Sequence, residues 1–207
     1  MGQFPLFDDN VDAPGLDITV VRGALSPKDA DRVMENLQAE IEWDQEWIVM
    51  FGKRSPVPRL TSWHGEKNAV YTYSNIKMDP KPWTPTLSEM RDLCQQHASH
   101  EFNSVLANFY RDGKDGNAWH ADDERELGKE PVIASLSFGA TRAFQFRRVD
   151  DHSRKVALDL HHGDLVIMRG LTQHLWQHRI AKTAKVFDGR INLTFRWINP
   201  NPTEPSR

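Results

Sequence analysis

From Ser104 onward the chain runs through short apolar-rich stretches separated by turn residues: SVLANFY, VIASLSF, RAFQFRR, VALDL, DLVIMRG, HLWQHRI and RINLTFRWI. Stretches of this length, bounded by Gly, Asp and Lys, predict strands. Ahead of them the apolar positions follow a helical period. Ser26, Pro27 and Asp29 supply an N-cap, a first-turn proline and an acidic third residue, the signature of a helix start. Val33, Met34, Leu37 and Ile41 then share one face of that helix. Thr84, Pro85 and LSEMRDLCQQH predict a second helix, with Leu87, Met90, Leu93, Cys94 and His97 near one face. A short strand is expected at Ile18 to Val21, inside an irregular lead-in that ends near residue 25. Between the helices, Trp43 to Met78 reads as short aromatic-rich strands broken by turns. Many short strands with helices confined to the front predict a mainly β protein with flanking helices and a double-sheet jelly roll, or double-stranded β-helix, at its core.

At 207 residues the chain suits one domain with a substantial core. The expected division is an extension and helix over 1–42, hairpins over 43–80, the jelly-roll core over 103–198 and a mobile tail over 199–207. Hydrophobic residues make up 39% and charged residues 27%, and the formal net charge is -3. That balance excludes a uniformly basic nucleic-acid binder, so any grip on DNA or RNA must be a local patch. A single cysteine, Cys94, excludes an intramolecular disulfide and a thiolate metal cluster, and points to a reducing compartment, cytoplasm or nucleus. No secretory pattern and no apolar run near ~18 residues is present, so no membrane partner is expected, and the protein is read as a monomer.

Candidate chemistry lies in Asn108 to Asp122, NFYRDGKDGNAWHAD. His120 and Asp122 are two residues apart and leave the same face of an extended segment. With a distant second histidine they form a two-His-one-carboxylate set, which leaves coordination positions open on Fe(II). His174 and His178 both satisfy strand parity for the distal ligand. In RINLTFR, Arg190, Asn192, Thr194 and Arg196 share parity. At 3.3 Å per residue the two arginine backbones lie about 20 Å apart, too far to grip one carboxylate together. They suit the two ends of an extended dianion, and a dicarboxylate beside an iron suggests 2-oxoglutarate.

NxYxxG (Asn108, Tyr110, Gly113), HxD (His120, Asp122) and a histidine twelve residues before RxNxTxR (Arg190, Asn192, Thr194, Arg196) together resemble the AlkB family of Fe(II)- and 2-oxoglutarate-dependent oxygenases, which remove alkyl groups from nucleic-acid bases. The spacing to Arg190 selects His178 over His174. The resemblance implies Fe(II) held by His120, Asp122 and His178, with 2-oxoglutarate and O2 as cosubstrates. Asn108, Tyr110, Arg190, Asn192 and Arg196 would hold the 2-oxoglutarate, Arg190 at its far carboxylate. The implied substrates are N1-methyladenine and N3-methylcytosine in single- or double-stranded DNA, or RNA, with release of formaldehyde.

The hairpin region resembles the branch that acts on double-stranded DNA, with MFGKRSPVPR carrying the likeness. There Phe51 corresponds to a wedge entering the stack where a base has been flipped out. Arg59 corresponds to a position near that nucleotide, and Tyr73 to the ring that sandwiches the base against the imidazole of His120. Lys53, Tyr71 and the pair Asp123 and Glu124 complete the expected substrate contacts, with a salt-bridge network of Asp123, Glu124 and Arg125 bracing the ligand loop as the equal alternative. Rings interleaved with cations hold an unpaired nucleotide without sequence preference; composition alone favours a half-buried sheet edge with a solvated charged face, and the resemblance reverses that order. Arg142, Arg147, Arg148, Arg154, Lys155, Arg179, Lys182 and Lys185 are either phosphate contacts or a solvated face.

Overall fold

The computed structural model describes residues 13–50, 52–69, 71–73 and 76–199. In chain order the first strands are β1 (Asp17–Val21), β2 (Trp47–Met50), β3 (Lys53–Pro56), β4 (Leu60–Gly65), β5 (Tyr71–Tyr73), β6 (Ile76–Met78) and β7 (Ser104–Tyr110). The second half adds β8 (Asn117–His120), β9 (Ile133–Gly139), β10 (Arg142–Arg148), β11 (Lys155–Leu160), β12 (Leu165–Arg169), β13 (Trp176–Ile180) and β14 (Arg190–Arg196). The helices are α1 (Pro27–Glu40), α2 (Pro85–Ala98) and the single turn α3 (Thr172–Leu175).

Both long helices start where the capping residues place them. Ser26 Oγ accepts from the Asp29 amide at 3.2 Å and Thr84 Oγ1 from the Leu87 amide at 3.2 Å, each ahead of a first-turn proline. An oxygen at this position satisfies a donor that the helix cannot, and losing one costs about 1 kcal/mol. α1 buries Ala30, Val33 and Leu37, and α2 buries Leu87, Met90 and Cys94. Met34 and Leu93 pack at the margin of that core, while His97 sits exposed in the last turn of α2.

The strands form a six-stranded sheet, β1-β12-β9-β14-β7-β4, facing a four-stranded sheet, β11-β10-β13-β8, and every pairing in them is antiparallel. This is the expected jelly roll. The larger sheet also takes strands from outside 103–198: β1 covers one edge and β4, from within the hairpin region, covers the other. The pairs β2-β3 and β5-β6 stand apart as two small hairpins.

Two cores lie on opposite faces of the larger sheet. One face meets α1 and α2 through Ala107, Leu136, Phe138, Ile167, Ile191, Leu193 and Phe195. The other meets the smaller sheet, where Ile133, Val166 and Met168 pack against Phe144, Phe146, Leu158, Leu160, Trp176 and Ile180. β14 is central and buried along its whole length. Its odd-numbered side chains face the helices, and its even-numbered ones enter the slot between the sheets.

The strand expected from His174 begins later. Gly170 adopts φ 53, the chain makes the turn α3, and β13 starts at Trp176. The short turn carries Gln173 into the slot, where an unbroken strand would not have placed it.

Candidate metal and dianion site

At one end of the slot the apolar filling gives way to a pocket lined by Asn108, Tyr110, Asn117, His120, Asp122 and His178, together with Arg190, Asn192, Thr194 and Arg196. Its walls are β7 and β14 on one side and β8 and β13 on the other. His120 and His178 are register partners across β8 and β13, with ring centroids 4.2 Å apart. Asp122 lies beyond the end of β8, so strand parity alone does not set its direction. It is drawn inward by Arg196, whose Nη2 donates to Oδ2 at 2.8 Å, and by Gln173 Oε1, which accepts from its amide at 2.9 Å. The ligand atoms of His120, Asp122 and His178 all lie within 4.8 Å of one another.

The electrostatics suit a cation. Burial alone would raise the Asp122 carboxyl, but Arg196, His178 and His120 outweigh it and hold the group well below the usual carboxylate range. Burial, reinforced by neighbouring His120, pushes His178 down to about 3, and burial likewise lowers His120. One carboxylate and two neutral imidazoles therefore converge at neutral pH, the protonation state a divalent metal requires. The His120 Nδ1 hydrogen bond to the Ala118 carbonyl, 2.8 Å, leaves Nε2 as the lone-pair nitrogen on the pocket side. His178 Nδ1 is buried without a hydrogen-bond partner among the described residues. Two nitrogens and a carboxylate fit Fe(II) by ligand type.

The two arginines of β14 have different roles. Arg196 forms a buried ion pair with Asp122. Arg190, 2% exposed, donates Nη2 to Ser137 Oγ at 2.9 Å, lies 5.3 Å from the Tyr110 ring centroid and leaves Nε and Nη1 unbonded among the described residues. Burial lowers its pKa to about 10, and no carboxylate among the described residues offsets its charge. A buried cation without a counter-charge is costly. An anion presented to those two nitrogens removes the cost, and a carboxylate matches them in shape.

Neighbouring polar groups brace this arrangement. Arg59 donates Nε to Asn108 Oδ1 at 2.7 Å and Nη1 to Asn117 Oδ1 at 3.1 Å, and the Asn117 amide lies 3.2 Å from His120 Nε2. Asn192 is engaged with Ser135, Leu136 and Thr194. Gly113 receives its motif position from close packing: a Cβ there would collide with the carbonyl oxygens of Thr183 and Val186.

Among the substrate candidates, Arg59 is buried and lines the pocket. Lys53 lies on β3 and Tyr71 and Tyr73 on β5, while Phe51 lies outside the described residues. Asp123 is exposed, and half-buried Glu124 precedes the 3-10 turn Arg125–Leu127. His174 is exposed and bonds to the Lys129 carbonyl, away from the pocket. Arg142 is not a surface cation: it is buried and donates to the carbonyls of Asp112, Asp115 and Ala181. Gln173, Ser137 and Asn117 carry no motif signal, and only the folded contacts single them out.

A model described as the 2OG-Fe(II) oxygenase superfamily matches residues 17–196. The chain is 44% identical over 189 residues to mouse (Mus musculus) alpha-ketoglutarate-dependent dioxygenase alkB homolog 3, covering 87% of this chain and 65% of that protein. It is 40% identical over 201 residues to the human (Homo sapiens) DNA oxidative demethylase ALKBH2, covering 91% of this chain and 76% of that one. The chain thus spans a little under two thirds of the homolog 3 relative's length. Among solved structures, "The structure of OsALKBH1" superposes with a TM-score of 0.60 at 20% identity, covering 90% of this chain and 100% of that one, a likeness of fold. Motif, ligand geometry and relatives agree, and the chain belongs to the AlkB family within the 2OG-Fe(II) oxygenase superfamily.

Proposed function

We propose that this protein is an Fe(II)- and 2-oxoglutarate-dependent dioxygenase that demethylates N1-methyladenine and N3-methylcytosine in DNA, and in RNA where the same strand geometry is presented. One observation carries the reading: a His-Asp-His cluster and a buried guanidinium with no acid partner among the described residues line the same pocket. Iron with 2-oxoglutarate and O2 supplies hydroxylation of the carbon attached to the base nitrogen.

The protein's own residues do the rest. His120, Asp122 and His178 would hold the metal, and Arg196 keeps the Asp122 carboxylate ionised and oriented. Arg190 would take the far carboxylate of 2-oxoglutarate, beside Asn108 and Tyr110 in the pocket wall. Asn192, engaged with its neighbours, holds that wall in shape. The hydroxylated N-alkyl carbon is a hemiaminal, which breaks down to formaldehyde and the free base without a protein nucleophile.

On the substrate side, a base inside a duplex must be extruded before its ring nitrogen is reached. Phe51 would occupy the vacated position, and Tyr71, Tyr73 and Lys53 would hold the flipped nucleotide from the hairpins. Arg59, which lines the pocket, would meet that nucleotide near His120. Both proposed lesions are cationic, and Asp123 and Glu124 provide negative charge beside the metal ligands. The work is intracellular, wherever the nucleic acid is.

The test follows matched single- and double-stranded DNA oligonucleotides carrying one N1-methyladenine. Protein is loaded anaerobically with Fe(II) and 2-oxoglutarate and then exposed to oxygen, with His178→Ala as control. Formaldehyde and restored adenine from the wild type alone are expected. Succinate without formaldehyde would keep the oxygenase and discard the nucleic-acid substrate; no succinate would remove both.

A further inference from the structure

The outer face of the smaller sheet carries two arginines, Arg147 and Arg179, held by amides and an aromatic ring. Several surface arginines are matched to acids: Arg22 with Asp164, Arg32 with Glu89, Arg111 with Asp115, and Arg148 with Asp150. In a chain of net charge -3 this is the expected pattern. Arg147 on β10 and Arg179 on β13 depart from it. Their strand parity is opposite to that of Phe146 and His178, with Arg179 at the rim of the metal pocket, and neither has an acid partner among the described residues.

Both guanidiniums are nevertheless held in place. Their carbons lie 4.5 and 4.3 Å from the ring centroid of one residue, Trp119. Arg147 donates Nε and Nη2 to Gln177 Oε1 at 2.9 and 2.7 Å, and Arg179 donates Nε to Gln145 Oε1 at 2.7 Å. Glutamine orients a guanidinium without neutralising it. The result is two like charges on one indole ring, ordered in advance, with N–H donors remaining for an anion.

The location supplies the occupant. Trp119 precedes His120 in the chain and Arg179 follows His178, so the outward charges and the inward ligands alternate along the same strands. Arg179 lines the metal pocket and also an adjoining surface groove, which runs past Pro58, Trp119 and Lys182. A polyanion whose one unit enters the pocket must leave along its rim.

We propose that Arg147 and Arg179, braced by Trp119, bind the phosphodiester backbone of the nucleic-acid strand that carries the target base. The proposal rests on the nucleic-acid reading above and adds the residues that track the strand outside the pocket. Such contacts position the strand without reading its sequence, and they release counterions, so they show in the salt dependence of binding.

The test measures anisotropy of a labelled, unmodified oligothymidylate across a potassium chloride series, with wild type, Arg147→Gln/Arg179→Gln and Arg147→Lys/Arg179→Lys. Two lost phosphate contacts on a single strand should flatten the slope of log Kd against log salt by about 1.4, with affinity about tenfold weaker at low salt. The lysine variant, which keeps the charge, should retain the slope. An unchanged slope in the glutamine variant would overturn the proposal, as would a lysine variant that behaves like glutamine. Formaldehyde release by wild type from an N1-methyladenine oligonucleotide is read in parallel. Its absence would sink the demethylase reading, and the slope would still decide this one.

Discussion

The two faces of β14 are equally dry and chemically opposite. Toward the helices, Ile191, Leu193 and Phe195 pack into an apolar core where shape and contact are all that is required. Toward the slot, Arg190, Asn192, Thr194 and Arg196 are just as buried but polar, so each needs a partner. Asn192 and Thr194 find theirs within the sheet, and Arg196 finds Asp122 across the slot. Among the described residues Arg190 has Ser137 for Nη2 and the Tyr110 ring beside it, with two nitrogens left over. Alternation along one strand thus writes stability on one side and ligand chemistry on the other. The face that binds is the one left electrostatically incomplete.

That comparison breaks if both faces respond alike to truncation. Arg190→Met removes the charge offered to 2-oxoglutarate, and losing one partner of a buried charged pair costs about 3–5 kcal/mol, so affinity for 2-oxoglutarate should fall at least about 100-fold. Calorimetric titration into the Mn(II)-loaded protein reads it. The same substitution deletes an unmatched buried cation, so unfolding of the ligand-free protein should move little or toward higher stability. A large loss of stability would show that Arg190 is structural instead. On the opposite face, Leu193→Ala should lower stability by about 3 kcal/mol by emptying volume in the helix-side core. Its 2-oxoglutarate affinity in the folded fraction should stay within about threefold of wild type, since no slot-facing group is touched.

What the sequence made legible follows the range of the interaction. The caps at Ser26 and Thr84 act within one helical turn, and the structure has both. The parity of β14 is equally local, and it correctly gathers Arg190, Asn192, Thr194 and Arg196 on one wall. Long-range partners were not legible. The sequence places Arg196 at one end of the dianion, and its ion pair with Asp122, far away in the chain and across the slot, had no signal there. Arg142 resembled a surface cation until the loops carrying Asp112, Asp115 and Ala181 folded over it. Arg147 and Arg179 were indistinguishable in sequence from acid-paired Arg148, because what separates them is the cross-strand glutamine. The late start of β13 arose from α3, whose Gln173 supports Asp122.

The smallest expected effect sharpens the comparison through pH. His178 has its pKa lowered from the ordinary 6.5 to about 3 by burial and by His120. The unfolded chain therefore binds a proton that the folded one refuses, and stability must fall as pH drops below 6.5 toward 3. At pH 5 the penalty is about 2 kcal/mol, from 1.36 kcal/mol per unit over roughly 1.5 units. Asp122, held low, adds the same sign only below the ordinary carboxylate range, as the unfolded state takes up a proton first. Buried His64, also lowered by burial, contributes in the same window from the helix side of the molecule. Urea denaturation of the metal-free protein in chelator at pH 7 and pH 5 measures the sum, and His178→Gln isolates the slot. The variant should lose the His178 share of the pH dependence and keep the shares due to His120 and His64. If it retains the full wild-type difference, the dry polar face does not exact its cost at His178, and the incompleteness that favours a metal there must reside in Asp122 and Arg196.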